Sequence, residues 1–136
     1  GLTISTGQVL ALYDTAPINN IQSSVQFNYI AGTSWLSSIT LQPGKYELMT
    51  SVVCTFSGTG YLKYRWQDSE GTKYSSQAII GEGPISAEGK SNILYGHIDI
   101  DAPLTISLKV ELASGVAASQ GTHLSKSSTL SIRKVL

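Results

Sequence analysis

Charge is scarce in this sequence: only 13% of the 136 residues are Asp, Glu, Lys or Arg, and nine basic residues balance nine acidic ones. Nucleic acid needs a basic footprint to displace counterions, so a neutral, weakly charged chain excludes it as a partner. An anionic membrane surface is excluded on the same ground. Cys54 is the sole cysteine, which rules out an intrachain disulfide and suits folding in a reducing cytoplasm. Neither Asn19, Asn20, Asn28 nor Asn92 starts an Asn-x-Ser/Thr sequon, which points away from a eukaryotic secreted origin. No apolar run is long enough to span a bilayer, so no membrane insertion is expected. The chain starts at Gly1 without a methionine, and the expectation is the C-terminal fragment of a longer polypeptide, forming one domain over residues 1–136.

The few charges are also unevenly placed. Asp14 is the only one between Gly1 and Gly44, and residues 112–125 carry none. Ser, Thr, Asn, Gln, Gly and Ala fill these stretches, making them hydrophilic without charge. A cytoplasmic enzyme of this size ordinarily carries more.

Apolar residues recur at spacing two, not three and four, so strands are expected throughout. The most informative is 45–56, launched by the Pro43–Gly44 turn. Tyr46, Leu48, Thr50, Val52, Cys54 and Phe56 share one face; Lys45, Glu47, Met49, Ser51, Val53 and Thr55 share the other. The first set suits a core. The second is too apolar at Met49 and Val53 for plain solvent, so a second surface is expected against it. Further strands are predicted at 8–13, 25–30, 35–41, 61–67, 73–80, 91–100, 104–112 and 128–136. Residues 57–60, Ser-Gly-Thr-Gly, read as a hairpin connection, and 68–71, Asp-Ser-Glu-Gly, as a turn. Leu104, Ile106, Leu108, Val110 and Leu112 are expected to face inward. Segments 81–89 and 113–127 read as long loops by composition. The pattern predicts an all-β, antiparallel two-sheet jelly-roll sandwich.

The run Pro43-Gly44-Lys45-Tyr46-Glu47-Leu48 resembles the start of the long central strand in the tumour-necrosis-factor and complement-globular-head superfamily of jelly rolls. Phe27-Asn28 and Trp35 fall where that family places aromatic core residues. The run from Asn92 to Gly96, followed by Ile98, resembles its penultimate inner-sheet strand, and Ser128-Thr129-Leu130-Ser131 resembles the opening of its last strand. Ile132 and Arg133 stand where the family has a glycine, and the paired cysteines of many animal members are missing, which points away from an animal complement-like role. The resemblance implies a TNF-like fold and a homotrimer packed through its inner sheets. Viruses build the heads of spikes, fibres and tail needles this way. The neutral surface and free thiol look most like a bacteriophage head domain, either the vertex spike of tailless membrane-containing phages or the tail-needle knob of short-tailed ones.

On that reading the chain is made in the host cytoplasm and sits at the virion surface, without enzymatic activity and without a cofactor. It mediates host attachment or docks an adhesin, and it caps a trimeric stalk. Its partners are copies of itself, other virion proteins, or a host receptor or glycan. The expected subunit interface comprises Glu47, Met49, Ser51, Val53, Tyr95, His97 and Arg133, with Ser131 beside them. Met, Tyr and Arg are enriched in interface cores, and Glu47 with Arg133 is expected to pair between subunits. Glu82, Pro84, Glu88, Gln120 and His123 are the expected partner-binding loop residues, because loops on a rigid scaffold carry binding. The alternative is a lectin-like carbohydrate-binding β-sandwich module, with Tyr61 and Tyr74 as stacking platforms.

Catalytic and metal signals are weak. Period two aligns His97, Asp99 and Asp101 on one strand face, a possible ligand row, but no second motif with ligand spacing accompanies them. His123 has no Gly-x-Ser-x-Gly nucleophile turn to work with. Asp68 to Gly71 lacks the rest of a calcium loop, and Gly81-Glu82-Gly83 does not open a predicted helix. No metal or catalytic residue is assigned.

Overall fold

The computed structural model describes residues 5–13, 18–20, 24–81, 90–117 and 128–135. Nine strands are seen among them, and no helix: β1 (Leu12–Tyr13), β2 (Ile18–Asn20), β3 (Val25–Tyr29), β4 (Trp35–Leu41), β5 (Gly44–Gln67), β6 (Ala78–Gly81), β7 (Lys90–Ile100), β8 (Leu104–Ala117) and β9 (Thr129–Lys134). No helix of the described residues is long and apolar enough to cross a membrane.

The strand β5 organises everything else. Its first part, up to Cys54, lies between β7 and β9, and from Thr55 onward it pairs with β8 and then β6. Thr50 and Trp66 are 16 positions apart, yet the Trp66 indole Nε1 donates to Thr50 Oγ1 at 2.8 Å. Sixteen residues of straight strand would span roughly 53 Å, so β5 must turn a corner between them. The corner falls at 57–60, where β5 advances from Phe56 to Tyr61 while β8 moves only from Val116 to Ser114. This corrects the expected hairpin: the two glycines bend one continuous strand and do not reverse it, because the long β8 offers partners on both sides of the bend.

Two groups of strands result. One carries β3 and β1 on β4, then β8, the second part of β5, and β6; the other carries β7, the first part of β5, β9, and β2. Pairings are antiparallel except β2 with β9. The N-terminal segment extends the first group, since the amides of Gly7 and Leu10 donate to the carbonyls of Val110 and Leu108. Tyr46, Leu48, Val52, Leu94, Ile98, Leu130 and Ile132 meet Leu36, Ile39, Leu41, Leu62, Tyr64, Trp66, Ile106, Leu108 and Val110 in one buried cluster. This is the arrangement expected of an antiparallel β-sandwich.

Trp66 and Thr50 tie the two layers in the middle of that cluster. Thr50→Val keeps the volume but removes the oxygen that accepts from the indole N–H. The expected loss is about 1–3 kcal/mol in denaturant unfolding with an unchanged m value; a neutral substitution would show that the bond is not formed.

Several strand boundaries differ from the expected ones. Of the predicted strand 73–80 only the part from Ala78 is regular, in β6; in the serine-rich stretch before it the ladder is reduced to one β-bridge, Lys73 to Gln67. The predicted loop 113–127 begins as strand, since β8 continues to Ala117. Leu112 points outward, 40% exposed. The cause is a register shift: Lys63 pairs with Leu112 and Tyr64 with Val110, leaving Glu111 as the extra residue. A bulge inverts the alternation beyond it.

Candidate functional site

Alternation along three neighbouring strands places the candidate residues on one outer face. On β5 the inward set is Tyr46, Leu48, Thr50 and Val52, all buried, which turns Glu47, Met49, Ser51 and Val53 outward. On β7 Leu94, Gly96 and Ile98 are buried and Ile93, Tyr95, His97 and Asp99 are exposed. On β9 Leu130 and Ile132 are buried, leaving Ser131 and Arg133 outside.

The registers then line these residues up in rows across the face. Tyr95, Met49 and Ser131 form the central row, His97, Glu47 and Arg133 the next, and Ile93, Ser51 and Thr129 the row on the other side. Val53 lies beyond, half-buried, and its amide donates to Ser128 Oγ at 2.9 Å. Met49 is 39% exposed, Ile93 48% and Tyr95 58%. Between the two rows containing Met49 and Glu47 lies a shallow depression of about 270 Å³, bordered by Met49, Tyr95, His97 and Arg133 among others.

Glu47 and Arg133 pair within the chain, not between subunits as the sequence suggested. Arg133 Nε and Nη2 donate to Glu47 Oε2 at 3.0 and 2.8 Å. The pair follows from register, because the two residues stand directly opposite on β5 and β9. Opposite charges at directly facing positions stabilise a sheet modestly, by roughly 0.2–1 kcal/mol. In the row beyond His97, Lys45 and Asp99 face each other with 3.9 Å between Nζ and Oδ2. Ile93 is the outward residue that sequence reasoning left out. It is in phase with Tyr95 and His97, so the same alternation would have found it.

The outer face of the other layer is built differently. Asn28 Nδ2 donates to Ser38 Oγ and Thr40 Oγ1 at 3.0 and 2.9 Å, and the Thr40 and Thr105 hydroxyls bond at 2.8 Å. Arg65 Nε donates to Glu111 Oε1, which also accepts from Gln77 Nε2 at 2.7 Å. Two exposed apolar residues, Ile79 and Leu112, flank Lys63 there, whose ammonium sits 5.7 Å from the Tyr61 ring centre. Polar ladders of this kind satisfy a face that water covers.

Burial would raise the Glu111 carboxyl, but hydrogen bonds from Gln77 and Arg65 and the charges of Arg65 and Lys73 hold it below the usual glutamate range. A folded carboxyl depressed in this way contributes stability above its unfolded titration, and that contribution is lost as pH falls through the folded one. The stability gap between the parent and Glu111→Gln should therefore be widest near neutrality and close as pH drops from about 5 to about 3. Denaturant titrations across that window measure it; a gap that stays constant would show that Glu111 does not titrate against Arg65.

The remaining candidates have structural partners. Asp68 Oδ1 accepts the amides of Glu70 and Thr72, both at 2.9 Å, and Gly71 takes φ 86°, which makes 68–71 a carboxylate-capped turn. Burial raises that carboxyl and the amides of Thr72 and Glu70, with the Tyr74 hydroxyl, more than reverse the effect. Tyr74 is thereby tied to Asp68 and packs on the core. Among the described residues no three His, Cys, Asp or Glu side chains come together as a metal site. His97, Asp99 and Asp101 all stay exposed. Glu82, Pro84, Glu88, Gln120 and His123 lie outside the described residues, as does the side chain of Cys54.

Compared with known proteins, the chain matches no family model and no curated protein. Its function must be argued from the face itself.

Proposed function

We propose that this chain is the trimeric head domain of a viral or bacteriophage spike or tail fibre, assembled through the outer face of β7, β5 and β9. The observation that carries this reading is the contrast between the two outer faces. One is laced with side-chain hydrogen bonds. The other presents Ile93, Met49 and Tyr95 in adjacent rows, bordered on one side by the charge-balanced pairs Glu47–Arg133 and Lys45–Asp99. Contiguous exposed apolar surface usually marks a protein–protein contact, and Met, Tyr and Arg are among the residues enriched there. Its interspersed opposite charges suit a second copy of the same face.

Strand pairing supports the jelly-roll, TNF-like form of the fold. The second part of β5 pairs with β6, its first part with β7, β4 with β8, and β2 with β9. Such nested pairs are what a long hairpin rolled into two sheets produces. The parallel sense of β2 and β9 is the one departure.

The mechanism is multivalent and non-enzymatic. Three equivalent copies of the expected partner-binding loops, 81–91 and 113–127, joined in one assembly would raise effective concentration against a repetitive host surface or adhesin. The same trimer would fix register at the end of a stalk, at the virion surface. Light scattering at micromolar concentration tests the assembly: the expected mass is that of three chains, and a stable monomer would overturn the proposal in favour of a carbohydrate-binding module.

A further inference from the structure

Tyr95 and His97 separate two hollows. The depression toward β5 belongs to the proposed contact face. On their other side lies a groove of about 470 Å³, walled by these two residues and Asp99 on β7 and by the stretch 73–76 opposite. Its size falls among small-molecule sites, roughly 300–1,000 Å³. The stretch 73–76 uses its polar groups internally. Lys73 Nζ donates to Gly71 O at 3.0 Å, the Tyr74 hydroxyl to Asp68 Oδ2 at 3.3 Å, and Ser76 Oγ to Tyr95 O at 3.2 Å.

The β7 wall is open by comparison. Ser76 N donates to Tyr95 O at 3.0 Å, so Tyr95 turns its main chain away from β5, and in an antiparallel ladder every second residue does the same. His97 therefore presents its N–H and C=O to the groove side, and neither has a partner among the described residues. The Tyr95 hydroxyl and the His97 imidazole are unpartnered among them too. Asp99, also exposed, faces Lys45 at 3.9 Å, beyond hydrogen-bond distance.

We infer that this groove binds a neutral saccharide. A sugar ring presents an apolar C–H face and a rim of hydroxyls that each donate and accept. Tyr95, more than half exposed, offers an aromatic face ending in a polar tip. The Asp99 carboxylate and the His97 carbonyl accept, the His97 amide donates, and a neutral imidazole does both. Hydrogen bonds to an ionised carboxylate are the strong ones, so Asp99 is the main polar anchor. Lys73 on one wall and Asp99 on the other balance, which disfavours a ligand of either net charge. An extended peptide fits less well, because β7 ends at Ile100 and the open edge offers its groups only at His97 and Asp99. That is short of a usual strand of about five or six residues. The saccharide gives the attachment head proposed above its ligand class, and that reading supplies the source, a host surface. Every groove residue comes from one chain, so binding does not require the trimer.

Amide spectra of the whole protein titrated with maltose, lactose, cellobiose and chitobiose test this, with sialyllactose and glucosamine as charged comparators. At least one neutral sugar is expected to shift the His97 and Asp99 amides with a millimolar Kd. Asp99→Ala and Tyr95→Ala should each weaken that sugar by about tenfold or more. Tyr61→Ala, on the other layer, should leave it unchanged. No neutral sugar bound at about 20 mM, tighter binding of a charged comparator, or unchanged affinity in Asp99→Ala and Tyr95→Ala would overturn the groove. Light scattering on the same samples separates it from the trimer. A three-chain parent that binds none of the sugars loses the groove and keeps the head. A single-chain parent whose His97 amide responds to sugar keeps the groove and loses the trimer.

Discussion

Met49→Asp should reduce the proposed trimer to single chains without unfolding them. Met49 occupies the middle of the central row, with Tyr95 on one side and Ser131 on the other. In the isolated chain the side chain is 39% exposed, so an aspartate there remains hydrated. The expected cost to folding is small, within the roughly 1 kcal/mol span of strand preferences. At a contact the same carboxylate would be desolvated beside Glu47, which stands two residues along on the same face and whose arginine is already engaged. An unpaired buried charge costs roughly 3–5 kcal/mol, and symmetry applies it once per subunit. Thr105→Asp, on the polar outer face of the other layer, is the matched control and should leave the mass unchanged. Light scattering with circular dichroism separates the outcomes. If Met49→Asp remains assembled and Thr105→Asp does not, the contact lies on the wrong face; if neither changes the mass, neither face is the contact.

The face was largely legible in the sequence because its logic is local. Strict alternation over 45–53 and 91–99 assigns Met49, Tyr95 and His97 to one side whatever the partner strands are, and β4 appears with the boundaries its residues predict. Features that depend on which strands pair were not legible. Nothing in the spacing of Glu47 and Arg133 says that they stand opposite each other on adjacent strands, so the sequence alone does not reveal that they pair within one chain. Leu112 continues a clean apolar alternation, and only the bulge at Glu111, fixed by the partner strand, turns it outward. Residues 57–60 have the glycines of a hairpin and also those of a sheet corner. The choice between them is made by the length of β8, some fifty residues away in sequence.

Gly96 is a third case, in which the signal was present and the cause was not. It belongs to the run from Asn92 that resembles a family strand, and an interior strand glycine often marks the close approach of another backbone. Here that backbone belongs to the stretch joining Gln67 to β6, which covers the end of the core beside β7. Tyr74 N donates to Trp66 O at 2.9 Å, Ser75 Oγ accepts from Trp66 N at 3.0 Å, and Ser76 N donates to Tyr95 O at 3.0 Å. The stretch is thus clamped to β5 on one side and to β7 on the other.

Gly96→Ala should therefore be among the most damaging single-methyl changes in the protein. The added Cβ would lie 2.7 Å from the Tyr74 carbonyl oxygen and 3.2 Å from both Leu48 Cγ and Ser75 Cβ. The nearest obstacle is backbone held by hydrogen bonds, so relief requires parting the 74–76 stretch from β7. Overpacking of this kind costs about 1–3 kcal/mol, and the upper end is expected here because no flexible side chain can yield. Thermal unfolding should fall by several degrees, at roughly 2–8 °C per kcal/mol for domains near this size. Hydrogen exchange should localise the damage, with the Ser76 amide losing protection before the amides of β4. Because Tyr95 and His97 flank Gly96 on the opposite side of the strand, displacement of β7 should also weaken the proposed self-association. Unchanged unfolding together with unchanged Ser76 protection would mean that the stretch moves aside freely, and the proposed contact face would then lack the rigid backing its rows require.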